Sequence, residues 1–247
     1  MRIPRIHTPQ PLVTGQTMEL EAVASRHLLT VLRLKPGAEL VLFNGSGHEF
    51  EARLDAVENR RARISIGIER GSRSESPLRI TLAQGISRSE RMDYTLQKAV
   101  ELGVAEIVPV LTERSVVRLD ANSATRKQNH WRQLVISACE QSGRVHLPAV
   151  RAPLSFDALL TQAGDYAMKL LLDPQATARL NALDHPAHQQ VLLLVGPEGG
   201  LSEAERGAAR HAGFQGVRLG PRILRTETAA LVALSLLQGL WGDLSGV

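Results

Sequence analysis

Two short segments constrain this chain more than any other: Leu192-Leu193-Leu194-Val195-Gly196-Pro197-Glu198-Gly199-Gly200-Leu201-Ser202, and further along Leu219-Gly220-Pro221-Arg222-Ile223-Leu224-Arg225-Thr226-Glu227-Thr228. Both read as apolar strand, Gly-Pro turn, helix. A brief apolar run bounded by glycines is the pattern of a buried strand, and Ser202 with Glu205 forms a capping box that opens the next helix. Each strand therefore ends in an exposed backbone loop. Loops at the carboxyl ends of strands in an open α/β sheet are where small ligands bind, and glycine lets backbone amides approach them without a Cβ in the way. Two such loops close in sequence point to one shared pocket.

Gly-Pro and Gly-Gly also serve as plain turn punctuation. Arg222, Arg225, Thr226 and Glu227 argue for more, because charges crowded between a tight turn and an apolar helix are an odd choice for a connection. That helix runs Ala229-Ala230-Leu231-Val232-Ala233-Leu234-Ser235-Leu236-Leu237. Apolar on all sides, it belongs in a core or an oligomer interface.

The chain of 247 residues is 43% apolar, enough for one large or two modest domains. Up to about Arg73 short strands and turns predominate: Glu39–Phe43, the turn 44–47 with Asn44-Gly45 as a hairpin, 49–54 and Ala62–Ile66. This pattern predicts a small β-barrel. The polar stretch 71–77 has linker composition, so the domains are expected at 1–73 and 74–247. In the second, a strand 78–84 leads to a helix 89–102, with Ser87 and Glu90 as its expected capping box. A strand 106–110 and a helix 125–142 follow, with Gly143 as C-cap and a buried stripe of Trp131, Leu134, Val135, Ala138 and Cys139. Strands near 167–172 and 190–195 complete a βαβ rhythm, which predicts a mostly parallel sheet covered by helices.

Composition excludes several classes of function. No apolar stretch is long enough to span a bilayer and the first residues hold no signal-peptide core, so a cytoplasmic protein with no membrane partner is expected. Cys139 is the only cysteine, which rules out an internal disulfide or thiolate cluster. Pro186 breaks helical spacing among Asp184, His185 and His188, so that loop reads as solvated and no metal is expected. There is no G-x-x-x-x-G-K-[ST] loop, no G-x-G-x-x-G after a strand and no G-x-S-x-G elbow. The net charge is only +4, yet Arg60, Arg61, Arg63, Arg70, Arg73 and Arg79 cluster with few acids between them. Such a cluster either binds phosphate or keeps a strand edge charged and solvated. With 3% aromatic residues a base-stacking platform is disfavoured, so any RNA contact should rest on phosphate and shape.

The two glycine loops, together with Arg2-Ile-Pro-Arg5, Val31-Leu-Arg-Leu34, Glu90-Arg-Met92, Gln97-Lys98, Glu101-Leu-Gly103 and Ala138-Cys-Glu-Gln-Ser-Gly-Arg144, resemble the bacterial 16S rRNA (uracil-N3)-methyltransferase family of the SPOUT superfamily over nearly the whole chain. The C-terminal loops are highly specific; the N-terminal matches are individually weak. The resemblance implies a PUA-like β-barrel followed by a SPOUT domain with a deep trefoil knot, a homodimer with composite active sites, S-adenosylmethionine as cofactor and 16S rRNA of the small subunit as partner. General folding rules alone would argue against a knot.

The implied cofactor residues are Leu172, Gly196, Glu198, Gly199, Leu219, Gly220, Ile223, Leu224 and Thr228. Glu198 and Glu227 are the candidate bases and Arg225 the stabilising group, although either glutamate could instead pair with an arginine and shape its loop. Arg5, Arg33, Arg60, Arg61, Arg63, Arg88, Glu140, Gln141, Arg144 and Arg222 are the expected RNA-facing set, the Glu140, Gln141, Arg144 group facing RNA or the partner subunit. Two other readings use the same residues: methylation of a ribose 2′-oxygen or tRNA base, and a non-catalytic ribosome-assembly factor that keeps the fold as scaffold.

Overall fold

The computed structural model describes residues 3–71, 75–116 and 120–244. Internal packing divides the chain into one unit of 1–75 with 139–147 and a second of 76–138 with 148–247. The sequence reading leaves 139–147 in the second domain, whereas by packing it groups with the first.

The first unit holds a five-stranded sheet in the order β1 (Arg5–His7), β3 (Glu39–Phe43), β4 (His48–Glu58), β5 (Arg61–Gly71), β2 (Thr17–Glu19), with the short helix α1 (Ala22–Arg26). Only the β1–β3 pair is parallel. Alternation decides which side chains turn inward: Leu40 and Leu42, then Phe50, Ala52 and Leu54, then Ala62, Ile64 and Ile66 form one buried cluster with Ile6, Leu20 and Leu28. The Asn44–Gly47 segment joins β3 to β4 as an antiparallel hairpin. The β4–β5 turn is tighter, with Asn59 at φ 48° and Arg60 at φ 63°, the backbone that a two-residue hairpin loop requires.

Residues 139–147 are fastened into this unit by polar contacts. Glu75 accepts from Arg144 Nη2 at 2.6 Å and Nε at 3.2 Å, and from the amides of Val145 and His146 at 3.3 Å each. Arg144 keeps only 7% of its side chain exposed. Cys139 is fully buried, and burial pushes its thiol up to about 12. It is therefore expected to resist a thiol-specific reagent at pH 8 in the folded protein and to react fully on unfolding; rapid labelling of the native state would refute this.

The second unit is built on seven strands, every pairing parallel, in the order β12 (Gln215–Val217), β10 (Met168–Leu172), β11 (Gln190–Val195), β6 (Arg79–Gly85), β7 (Glu106–Leu111), β8 (Ala149–Val150), with β9 (Leu154–Ser155) also on β7. Val191 to Val195 are all buried, as expected of a strand covered on both faces. The helices are α2 (Ser89–Glu101), α3 (Ala121–Ser142), α4 (Phe156–Gln162), α5 (Glu203–His211) and α6 (Thr226–Trp241). No described helix is long and apolar enough to cross a membrane.

The capping box of α5 forms as expected: Ser202 Oγ accepts from Glu205 N at 3.2 Å and Glu205 Oε2 from Ser202 N at 2.9 Å. That expected at α2 does not. Its N-cap is Arg88, and Ser87 Oγ lies buried without a partner among the described residues. A distant carboxylate displaces the local one, since Glu198 Oε1 accepts the Arg88 amide at 3.0 Å. Helix α3 also begins before the expected residue 125. Asp120 accepts the Ser123 amide at 2.7 Å, and this extra turn is polar, so apolar periodicity gave no sign of it.

Candidate active site

Strands β10 and β11 are adjacent and parallel, with β12 on the far side of β10, so their carboxyl ends at Leu172, Val195 and Val217 share one edge of the sheet. The loops that leave these ends surround a cavity of about 610 Å³. Its wall comprises Leu172–Gln175, Val195–Leu201, Val217–Leu219, Arg222–Thr226 and Ala229, with the side chains of Arg91, Arg114 and Arg206. Both glycine loops thus border one space.

Four close approaches fix the geometry of these loops. Thr226, at the first turn of α6, donates through Oγ1 to Gly196 O at 2.6 Å and accepts from Gln84 Nε2 at 3.0 Å. At the end of β6, a Cβ on Gly85 would lie 2.5 Å from Pro197 N, so only glycine lets that strand end pass the loop. Gly200 closes the turn by donating to Pro197 O at 2.8 Å, with its own φ at +66°. A Cβ on Gly199 would come within 3.0 Å of Arg114 Cβ, whose Nη1 donates to Gly199 O at 3.2 Å.

Of the expected cofactor residues, Leu172, Gly196, Glu198, Gly199, Leu219, Ile223 and Leu224 line the cavity; Gly220 and Thr228 do not. Gly220 instead supplies the left-handed turn, at φ +76°, and Thr228 is exposed on α6. Arg225 lines the cavity as the exposed N-cap of α6. Glu198 also lines it. Its Oε1 accepts from Arg88 N and lies 3.5 Å from Arg91 Nη1, while its Oε2 is buried with no hydrogen-bond partner among the described residues. Glu227 has the same kind of unpartnered Oε2 but is not on the wall.

Sequence reasoning missed Arg91, Arg114, Asp173, Gln175, Arg206 and Arg218. Asp173 was the legible one, a carboxylate directly after the apolar run of β10. Its side chain is fully buried, held by Arg210 Nη2 at 2.6 Å with Arg206 Nε at 3.9 Å, and it accepts the Gln175 amide at 3.0 Å. Thr226 was singled out as part of the loop, but its bridging role depends on two strands far away in sequence.

The expected RNA-facing residues separate into groups. Arg222 lies on the cavity wall, and Arg88 is exposed at the start of α2. In the first unit, Arg33 and Arg60 are exposed, Arg63 lies 3.7 Å from Glu58, and Arg61 donates to Leu20 O at 3.2 Å. Arg70 pairs with Glu51, Arg79 is exposed on β6, and Arg73 lies outside the described residues. Arg5, Glu140 and Arg144 have internal partners: Arg5 pairs with Glu49 and sits 5.2 Å over the Phe43 ring, and Glu140 accepts His7 N at 3.0 Å. Burial raises the Glu140 carboxyl above its usual range. Gln141 is exposed beside them. Among the described residues no group of three His, Cys, Asp or Glu side chains could hold a metal; His185 Nδ1 lies 3.1 Å from Pro186 O.

Residues 74–238 match the RNA methyltransferase domain, and residues 24–67 match the RNA methyltransferase PUA domain. Fold and site together define an RNA methyltransferase that also carries a PUA-like domain. A putative methyltransferase from Legionella pneumophila, solved with bound cofactor S-adenosylmethionine, is 40% identical, with a TM-score of 0.94 over 98% of this chain and 100% of its own. A ribosomal RNA small subunit methyltransferase E from Neisseria gonorrhoeae, bound to S-adenosylmethionine, is 44% identical, with a TM-score of 0.91 over 98% and 99%. The protein of that name from Buchnera aphidicola subsp. Schizaphis graminum is 36% identical over 99% of both chains. The chain belongs to the ribosomal RNA small subunit methyltransferase E family.

Proposed function

We propose that this protein methylates N3 of a specific uridine in 16S rRNA of the small ribosomal subunit, using S-adenosylmethionine. The observation that carries this reading is the cavity between the two glycine loops, with Arg225 and Glu198 on its wall. Its volume lies in the range of about 300–1,000 Å³ that small-molecule sites occupy. The walls suit a nucleoside with an amino-acid arm: Gly196, Gly199 and Leu219 bring their loops to the cavity, and Leu172, Ile223 and Leu224 supply apolar surface. Gly220 and Thr228 support that wall through the turn and first helical residues.

When bound, the cofactor supplies a methyl carbon activated by its sulfonium. The chain's own residues place the uracil ring in line with it, and orientation alone can contribute about 7–11 kcal/mol. Uracil N3 must lose its proton as the new N–C bond forms and the S–C pair returns to sulfur. Glu198, which lines the cavity, is the better placed acceptor, and Glu227, which does not, is the second candidate. Arg225 stabilises the negative charge that develops on the ring oxygens. Arg33, Arg60, Arg61 and Arg63 in the first unit, and Arg88 and Arg222 in the second, would take phosphate contacts, with Arg5, Glu140, Gln141 and Arg144 completing the RNA-facing set.

The same reading includes a domain boundary at 73/74, barrel closure of the first unit, a trefoil knot in the second, and a cytoplasmic homodimer with composite sites. Half-exposed Tyr94 on α2 with Leu236 and Leu240 on the packed helix α6 supports a second copy covering that face. Labelled cofactor with small subunits lacking this modification, followed by nucleoside mass spectrometry, tests the proposal. 3-Methyluridine is expected. A 2′-O-methylated or tRNA product would redirect it, and cofactor binding without transfer would favour an assembly role.

Gly85→Ala is a sharper structural test. The added Cβ meets backbone, so the 196–201 loop must move, and we expect cofactor affinity to fall at least about tenfold by calorimetry. Unchanged affinity would remove that loop from the cofactor site.

A further inference from the structure

Six arginines and only two carboxylates, Asp173 and Glu198, line the cavity among the described residues. Asp173 is already held by Arg206 and Arg210, and Glu198 is paired with Arg91. Arg114, Arg218, Arg222 and Arg225 have no ion-pair partner among the described residues; Arg114 donates to the Gly199 carbonyl, and the Nε of Arg218 is buried without a hydrogen bond to any described residue. The lining is therefore strongly cationic, with more arginines than the carboxylates on it can balance.

That charge bears on a ligand that changes charge during the reaction. Resting on the cofactor and RNA reading above, the methyl donor carries one net positive charge through its sulfonium, and its demethylated product carries none. We infer that Arg114, Arg218, Arg222 and Arg225 make this cavity discriminate against the charged donor in the absence of RNA, and that RNA phosphates entering beside it reverse the bias, so that donor and RNA bind with positive coupling.

The physical steps are short. Several like charges within about 10 Å of a cation together weaken its binding by about tenfold at low ionic strength, and the effect fades as the Debye length shrinks to about 4 Å near 0.5 M salt. Phosphates on the arginines cancel the repulsion and add attraction for the sulfonium. By linkage, the donor tightens RNA by the factor by which RNA tightens the donor. Transfer moves the methyl group to N3 and leaves a neutral sulfur. The attraction between the cofactor and the RNA backbone then disappears, which loosens the methylated RNA at the moment it is made.

The test is calorimetric titration of the full chain with S-adenosylmethionine and separately with S-adenosylhomocysteine, at about 20 mM and about 0.5 M salt, with and without a short single-stranded oligoribonucleotide. Without RNA at low salt the demethylated form is expected to bind about tenfold more tightly, with the gap closing at high salt. Oligoribonucleotide should tighten the donor several-fold more than the product. The double variant Arg218→Gln with Arg222→Gln should narrow the low-salt gap without needing RNA. An affinity ratio indifferent to salt, or an RNA effect equal for both forms, overturns the inference while leaving the cofactor site intact. Failure of either form to bind overturns the cofactor reading itself.

Discussion

Arg225→Ala is expected to lower turnover by about 10²–10³-fold, the usual cost of removing one donor aimed at developing charge. Cofactor affinity and RNA affinity should change far less. The guanidinium is exposed, borders the cavity and has no ion-pair partner among the described residues, so truncating it orphans no buried group and leaves the fold as it is. What remains is the N-terminus of α6, whose backbone already carries partial positive charge toward the same space. Arg225→Lys should recover part of the rate, because a point charge replaces the planar fork. The measurement is single-turnover methyl transfer on small subunits, with calorimetry of the cofactor alongside. Turnover within threefold of the parent, with RNA still bound, would remove Arg225 from the chemistry.

Glu75→Ala is expected to have the largest effect on stability, about 3–5 kcal/mol, by removing the carboxylate paired with a buried guanidinium. Arg144 would lose its carboxylate partner, and the amides of Val145 and His146 would lose their acceptor in the same step. Glu75→Gln should cost less, since an amide oxygen can still accept from the two backbone donors. Denaturant unfolding of Glu75→Ala, Arg144→Ala and the double variant would measure the coupling directly. A loss below about 1 kcal/mol for Glu75→Ala would show the pair to be a solvated surface contact.

Much of the second unit was legible before any coordinates. The apolar run 191–195 became β11, the Ser202–Glu205 capping box formed as read, and Gly143 sits left-handed just beyond α3. In the first unit the period-two runs at 39–43, 49–54 and 62–66 all became strands. These signals succeed because each depends only on neighbours a few residues away. The cap of α2 failed for the opposite reason. Ser87 and Glu90 have the right spacing, but a carboxylate 110 positions downstream takes the Arg88 amide, and no local pattern reports that competition.

The site divides along the same line. The strand-turn-helix form of the two glycine loops, and the proposal of Arg225 and Glu198 as reactive groups, came from the residues and from the family those residues resemble. Tertiary structure alone decided that β12, β10 and β11 end side by side, that Thr226 bridges Gly196 and Gln84, and that Arg91, Arg114, Asp173 and Arg218 join the wall while Glu227 does not. Periodicity and turn chemistry are short-range properties of the chain. Which loops face one another is set by strand order and by the packing of elements far apart in sequence, and that is where the cavity and its unbalanced charge arise.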